Sequence, residues 1–259
     1  MPSAIQTTPT SVPAPLTQSS LINGLRDALI AAGFPAILKQ YTSGTDQFVV
    51  WELLFDNSKS YGKAYYRLKV TPALVVTHAI GVNFTDASNV LNSPSAESHN
   101  VTYLNNVPID FAGFRTSEYL FLYCNQGALQ QLLGYFRPPI CPAFDESSFP
   151  KTFISTNADF GQVTCTALSP YGSTLTFGTS LGSSQYGGAD LFLNRRNQKT
   201  RIDLNAPSNA GAMAQSSDDL AMGCCTGMTR GDIFEITGSN PVERFTVIRP
   251  GAGALLIKI

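Results

Sequence analysis

Charge is what this 259-residue sequence has least of. Asp, Glu, Lys and Arg make up 14% of it, against roughly a quarter in ordinary soluble domains. With 17 basic residues against 18 acidic ones, no concentration of Lys and Arg stands ready to neutralise a phosphate backbone, so nucleic acid is disfavoured as a partner. Histidine is nearly missing too. His78 and His99 alone give zinc chemistry little to work with, and the H-E-x-x-H pattern does not occur. Long apolar runs are absent, since no stretch approaches about 18 consecutive apolar residues. The first twenty residues, MPSAIQTTPTSVPAPLTQSS, have neither the basic region nor the apolar centre of a secretion signal. The expectation is a protein that neither spans a membrane nor is exported. The five cysteines, Cys124, Cys141, Cys165, Cys224 and Cys225, are odd in number and never spaced C-x-x-C, so reduced, mostly buried thiols in a chain made in a cytoplasm are expected, with no metal and no cofactor.

What is present is apolar. At 43% hydrophobic and 10% aromatic residues the chain has the material for a large core. A near-neutral, sparsely charged surface is poor at keeping copies apart, which favours assembly.

Residues 1–17 hold Pro2, Pro9, Pro13 and Pro15 among Ser, Thr and Ala. That composition opposes helix and continuous sheet pairing and predicts an extended arm, able to span on the order of 50 Å at about 3.3 Å per residue. A helix follows: Ser19 or Ser20 caps it, Leu21, Ile22, Leu25, Ala28, Leu29 and Ala32 form its apolar stripe, and Gly33 and Pro35 end it. The period then changes to two. FVVWELLFD is apolar on both faces, the mark of a central strand, and KAYYRLKV alternates as a half-exposed one. DNSKSYG between them supplies hairpin turn residues. PALVVTHAIG and EYLFLYCN read as further strands, TDASNVLNSPSAESHN as a long exposed loop, and GALQQLLGYF as a short helix. Residues 18–139 are therefore expected to be an α+β domain, two helices covering an antiparallel sheet.

RPPICPAFDESSFP breaks this pattern and sets a boundary. Beyond it TLTFGTSL, ADLFLN, TRIDLN, DIFEI, RFTVI and ALLIKI are short strands between Gly-, Asn- and Ser-rich turns, which predicts a β-sandwich or barrel over residues 140–259. No repeat relates the two halves.

Candidate chemistry is thin. His78 lies in the apolar segment LVVTHAIG and reads as a hydrogen-bonded structural histidine, and His99 as a solvated one. No G-x-S-x-G elbow supports a nucleophile. YGK at 61–63 and FGTSLGSSQYGG at 177–188 lack the spacing of phosphate loops. The acid pairs Asp145-Glu146 and Asp218-Asp219 sit in polar stretches with nothing to hold them at a working separation. The possible sequons at Asn83 and Asn100 matter only to a secreted chain. NRRNQKTR places Arg195, Arg196 and Lys199 on a hairpin tip suited to a polar partner surface. In MGCCTGMTRGDIFEI the adjacent Cys224 and Cys225 read as small buried thiols, and Gly231 of the Arg-Gly-Asp triplet as a turn, so the segment is the approach to a strand.

Two stretches, TDQFVVWELLFDNSKSYGKAYYRLKV and RGDIFEITGSNPVERFTVIRPGAGALLIKI, together with the Pro/Thr arm, give the chain a texture that resembles the tail and baseplate virion proteins of bacteriophages. The resemblance implies a non-enzymatic structural subunit of a tail, baseplate or neck. It would be made in the host cytoplasm, reside in the virion and contact copies of itself and other virion proteins. No catalytic residue carries over. The contacts expected are the arm (Pro9, Pro13, Pro15), the basic hairpin (Arg195, Arg196, Lys199) and the terminal strand (Leu255, Ile257, Ile259), whose free backbone edge could extend a neighbour's sheet. The alternatives are a carbohydrate- or receptor-binding β module using Tyr171 and Tyr186, and, further behind, an unrecognised hydrolase.

Overall fold

The computed structural model describes residues 5–6, 10–54, 63–95, 97, 101–115, 119–127, 129–136, 153–156, 160–163, 176–177, 199–201, 203–205, 212–215, 220–225, 227–229, 231–236, 242–249 and 251–259. The chain divides into two compact units. One comprises Gln6–Arg137 with Ala143–Leu175, and the other Thr176–Ile259 with Met1–Ile5 and Pro138–Pro142.

Among the described residues of the first unit one helix, α1 (Gln18–Ala32), follows strands β1 (Ile5–Gln6, its Ile5 at the unit boundary) and β2 (Thr10–Val12). The strands after it are β3 (Lys39–Ser43), β4 (Asp46–Leu54), β5 (Lys63–Val70), β6 (Val75–Gly81), β7 (Asn83–Thr85), β8 (Val90–Asn92), β9 (Val101–Thr102), β10 (Ile109–Arg115), β11 (Tyr119–Gln126), β12 (Leu129–Phe136), β13 (Phe153–Thr156) and β14 (Phe160–Val163). They form one antiparallel sheet in the order β3-β4-β5-β6-β9 and a second in the order β1-β10-β11-β12, with β2 also on β10. The pairs β7-β8 and β13-β14 stand as small ribbons.

The helix buries the stripe its spacing sets out: Leu21, Ile22, Leu25, Ala28, Leu29 and Ala32. Its N-cap is Thr17 rather than Ser19 or Ser20. The Thr17 hydroxyl accepts from Ser20 N at 3.1 Å and the Ser20 hydroxyl from Thr17 N at 2.9 Å, which satisfies two of the first turn's donors. Gly33, at φ 115°, ends the helix in the left-handed conformation.

Around α1 both sheets close one core. Val49, Trp51 and Leu53 of β4, Tyr66 and Leu68 of β5, and Leu120, Leu122 and Cys124 of β11 all belong to it. Strand β4 does lie between two neighbours, β3 and β5, as its two apolar faces require. Its other face, with Val50, meets Tyr65, Ala79, Phe84 and Leu91 in a second cluster.

Two expectations fail here. GALQQLLGYF is not a helix: β12 pairs with β11 along its whole length, from Gln126↔Leu129 to Tyr119↔Phe136. The Leu-x-x-Leu-Leu spacing fits a helix turn, but Leu132 and Leu133 are buried on opposite faces of the strand. Gly134, at φ 126°, crosses so close to Leu120 that a Cβ there would lie 2.0 Å from its carbonyl oxygen, and such sheet contacts outweigh local propensity. The polar stretch TDASNVLNSPSAESHN read as an exposed loop carries Leu91 of β8, which with Phe84 just before the stretch draws the β7-β8 hairpin onto the first sheet.

The second unit contains β15 (Thr176–Phe177), β16 (Lys199–Arg201), β17 (Asp203–Asn205), β18 (Ala212–Gln215), β19 (Leu220–Cys225), β20 (Ile233–Ile236), β21 (Glu243–Arg249) and β22 (Gly251–Lys258). Its sheets run β15-β17-β18 and β16-β19-β22-β21-β20. Neither closes among the described residues. Ala221, Phe245, Val247 and Leu256 form the buried cluster of the larger one.

Candidate functional site

The first unit buries a set of polar side chains where its two sheets meet. On β5 and β6, the Tyr66 hydroxyl lies 2.6 Å from His78 Nδ1 and accepts from Gly134 N of β12 at 3.3 Å. Nearby, Tyr103 Oη donates to Gln131 Oε1 at 3.2 Å, and Gln131 Nε2 donates to the Val76 carbonyl at 3.3 Å. Gln131 thus ties β12 of one sheet to β6 of the other. Burial sets the protonation of the whole group. It lowers the His78 pKa from 6.5 to about 3, so the imidazole is neutral. It also raises the hydroxyls of Tyr66 and Tyr103 and the Cys124 thiol, the thiol despite a hydrogen bond with Tyr103 that acts the other way. A thiol held protonated is a poor nucleophile, and these groups are all in the interior. What the arrangement does well is fix the relative position of two sheets, because a buried polar group displaced from its partner is costly.

On the outer face of the first sheet, Lys39, Tyr41, Phe48 and Arg67 stack in a row. The Lys39 ammonium is 6.0 Å from the Tyr41 ring, the Tyr41 and Phe48 rings are 4.9 Å apart and nearly parallel, and the Arg67 guanidinium is 5.4 Å from Phe48. Glu97 receives Arg67 at 3.2 Å, Lys69 at 2.5 Å and the Thr77 hydroxyl at 3.2 Å. Phe48 is flanked from the strands on either side, so the row is consumed in its own packing rather than offering an open ring for a sugar. Burial raises the Tyr41 pKa, with Arg67 and Lys39 acting against it.

Where they are described, the groups of residues singled out from the sequence lie on separate elements. Pro13 and Pro15 are exposed beside β2. The arm that holds them is not free: Thr10–Val12 pair with Ile109–Phe111 of β10, and Leu16 is buried with its N–H on the Asn105 carbonyl at 2.6 Å. Strand β22 lies between β19 and β21, which corrects the expectation of a terminal strand with a free edge. Ile257 is fully buried there, Leu255 pairs with Met222 and Arg249, and Ile259 alone is exposed. Lys199 is in β16, paired with Gly223. Cys224 and Cys225 belong to a strand, β19, and not to the approach to one. Asp232 accepts from Thr229 N at 2.7 Å, a turn contact, and Gly231 takes φ 89°. Pro9, His99, Asn100, Asp145, Glu146, Tyr171, Tyr186, Arg195, Arg196, Asp218, Asp219 and Arg230, with most of the glycine-rich stretch 177–188, lie outside the described residues.

Tyr103 and Gln131 went unremarked in the sequence. The signal for Gln131 was a polar residue in an apolar run, and only strand pairing turns it inward. Among the described residues no three of His, Cys, Asp and Glu converge as metal ligands, and no helix is long and apolar enough to cross a membrane. Compared with known proteins, the chain matches no family model and no curated protein.

Proposed function

We propose that this protein is a non-enzymatic structural subunit of a phage virion, in the tail, baseplate or neck, acting through surfaces it presents to its own copies and to other virion proteins. The observation that carries the reading is the edge strand β20. It ends its sheet with β21 as its one neighbour among the described residues, and its Ile233 is 40% exposed. An edge strand directs alternate backbone groups away from its sheet, and an apolar side chain on it adds area to whatever strand pairs there. Val242, just before β21, and Ile259, just after β22, are exposed as well, at 55% and 40%. The placing of His78 and Cys124 inside the core, in forms suited to structure, supports the same reading. So does its low charge. The basic run at Arg195, Arg196 and Lys199 belongs to the proposal as a polar contact, and the two C-terminal sheets as layers of a sandwich.

The test is Ile233→Lys, which places a charge on the edge without touching the core. Light scattering and electron microscopy of the purified chain are expected to show homo-oligomers that this variant loses while its circular dichroism is unchanged. A wild-type chain that stays solitary at high concentration and turns over a substrate would overturn the reading.

A further inference from the structure

We infer that β2 is an exchangeable strand, and that the edge of β10 beneath it is a docking site for β2 of a second copy of this chain. The inference rests on the structural-subunit reading and names one contact of that assembly.

Strand β2 is short and held specifically, and β1 (Ile5–Gln6), which also pairs with β10, leaves with it in any exchange. Its register is Thr10↔Phe111, Ser11↔Asp110 and Val12↔Ile109. Thr10 and Ser11 are exposed, so Val12 is its one buried side chain. That side chain fills a notch above α1 which exists because residue 24 is glycine: a Cβ on Gly24 would lie 2.1 Å from Val12 Cγ2, with Phe111 forming the next wall at 3.7 Å. The fit is between a three-residue strand and an acceptor that every copy carries.

The boundary between fixed and movable parts is equally clear. Leu16 is buried and bonded to Asn105, and Thr17 caps α1. Between them and β2 lie Pro13, Ala14 and Pro15, all exposed. Two prolines in three residues leave a single N–H, that of Ala14, to be satisfied if the linker swings out. Three such residues reach about 10 Å, so the acceptor must be a copy packed directly alongside. Exchange replaces each contact by an identical one, and among copies already held together the high effective concentration removes most of its entropic cost.

The same notch supplies the test. The Val12 Cβ is 3.6 Å from the position of a Cβ on Gly24, within the roughly 3.5–4.5 Å a disulfide needs. The double variant Val12→Cys/Gly24→Cys is expected to close within one chain on oxidation. A mixture of Val12→Cys chains with Gly24→Cys chains is expected to give a thiol-reducible dimer whose peptide map joins positions 12 and 24, and neither variant gives that species alone. If the double variant closes, the wild type assembles by light scattering and the mixture gives no such dimer, exchange is refuted while the structural-subunit reading stands. If the double variant fails to close, β2 does not dock as described and the inference falls with it. A mixed dimer from chains that otherwise stay solitary would keep the exchange and remove the broader reading.

Discussion

The two units spend the same sparing supply of polarity in opposite ways. In the first, a helix and two sheets enclose one core, and polar side chains enter it: Tyr66 and His78 bond across the neighbouring strands β5 and β6, while Tyr66 with Gly134 and Gln131 with Val76 join strands far apart in sequence. In the second, the described cluster of the large sheet is apolar, made of Ala221, Phe245, Val247 and Leu256. Its charges stay toward the outside as pairs across adjacent strands, Arg244 with Glu235 and Lys258 with Glu243, each at 2.9 Å. Exposed pairs like Arg244 and Glu235 add little stability. The buried network is different in kind, because Tyr66 with Gly134 and Gln131 with Val76 lose their partners if the sheets shift. The first unit is thereby specified by partners as well as by hydrophobic pattern, and the second by alternation along short strands.

The contrast is broken most severely at Gly134. Gly134→Ala would force a Cβ to within 2.0 Å of the Leu120 carbonyl at a φ of 126°. It should cost about 3 kcal/mol or more through strain and overpacking, seen as a large drop in the midpoint of thermal or urea unfolding. A wild-type midpoint would show that β12 is not held against β11 as described.

Acid sharpens the comparison. An unfolded histidine takes up its proton near pH 6.5, while folded His78 resists until about pH 3. As pH falls through that window the unfolded chain binds the extra proton, so stability falls, by about 1.4 kcal/mol per pH unit, and above pH 6.5 the contribution is constant. Hydrogen-exchange protection factors, which take out the slowing of intrinsic amide exchange in acid, should therefore fall in β5 and β6 more than in β21 and β22, and His78→Gln should flatten the difference. An equal loss of protection in both units would erase the contrast. The smallest effect is expected at the helix start. Thr17→Ala removes the capping hydroxyl and should lower stability by about 1 kcal/mol, and because Val12 and Leu16 lie just before it, deleting residues 1–17 should cost considerably more.

Local pattern made part of this legible. The α1 stripe, the two apolar faces of β4 and the alternation of Tyr119, Phe121 and Tyr123 against Leu120, Leu122 and Cys124 are properties of neighbouring residues, and sequence carries them directly. His78 reads as structural for the same reason, since its neighbours are apolar. Gln131, Gly134 and the β7-β8 hairpin were not legible, because each depends on a strand brought in from elsewhere.

Sequence by itself determined the charge-poor composition, the existence of α1 and its buried face, and the two apolar faces of β4. Tertiary structure alone decided that LQQLLGYF runs as a strand, that residues 10–12 add to β10 of their own chain, and that β22 is flanked on both sides. The reason is physical: periodicity records which side of an element shuns water, whereas pairing is settled by the backbone groups and notches that another segment presents, and those have no trace in the local order of residues.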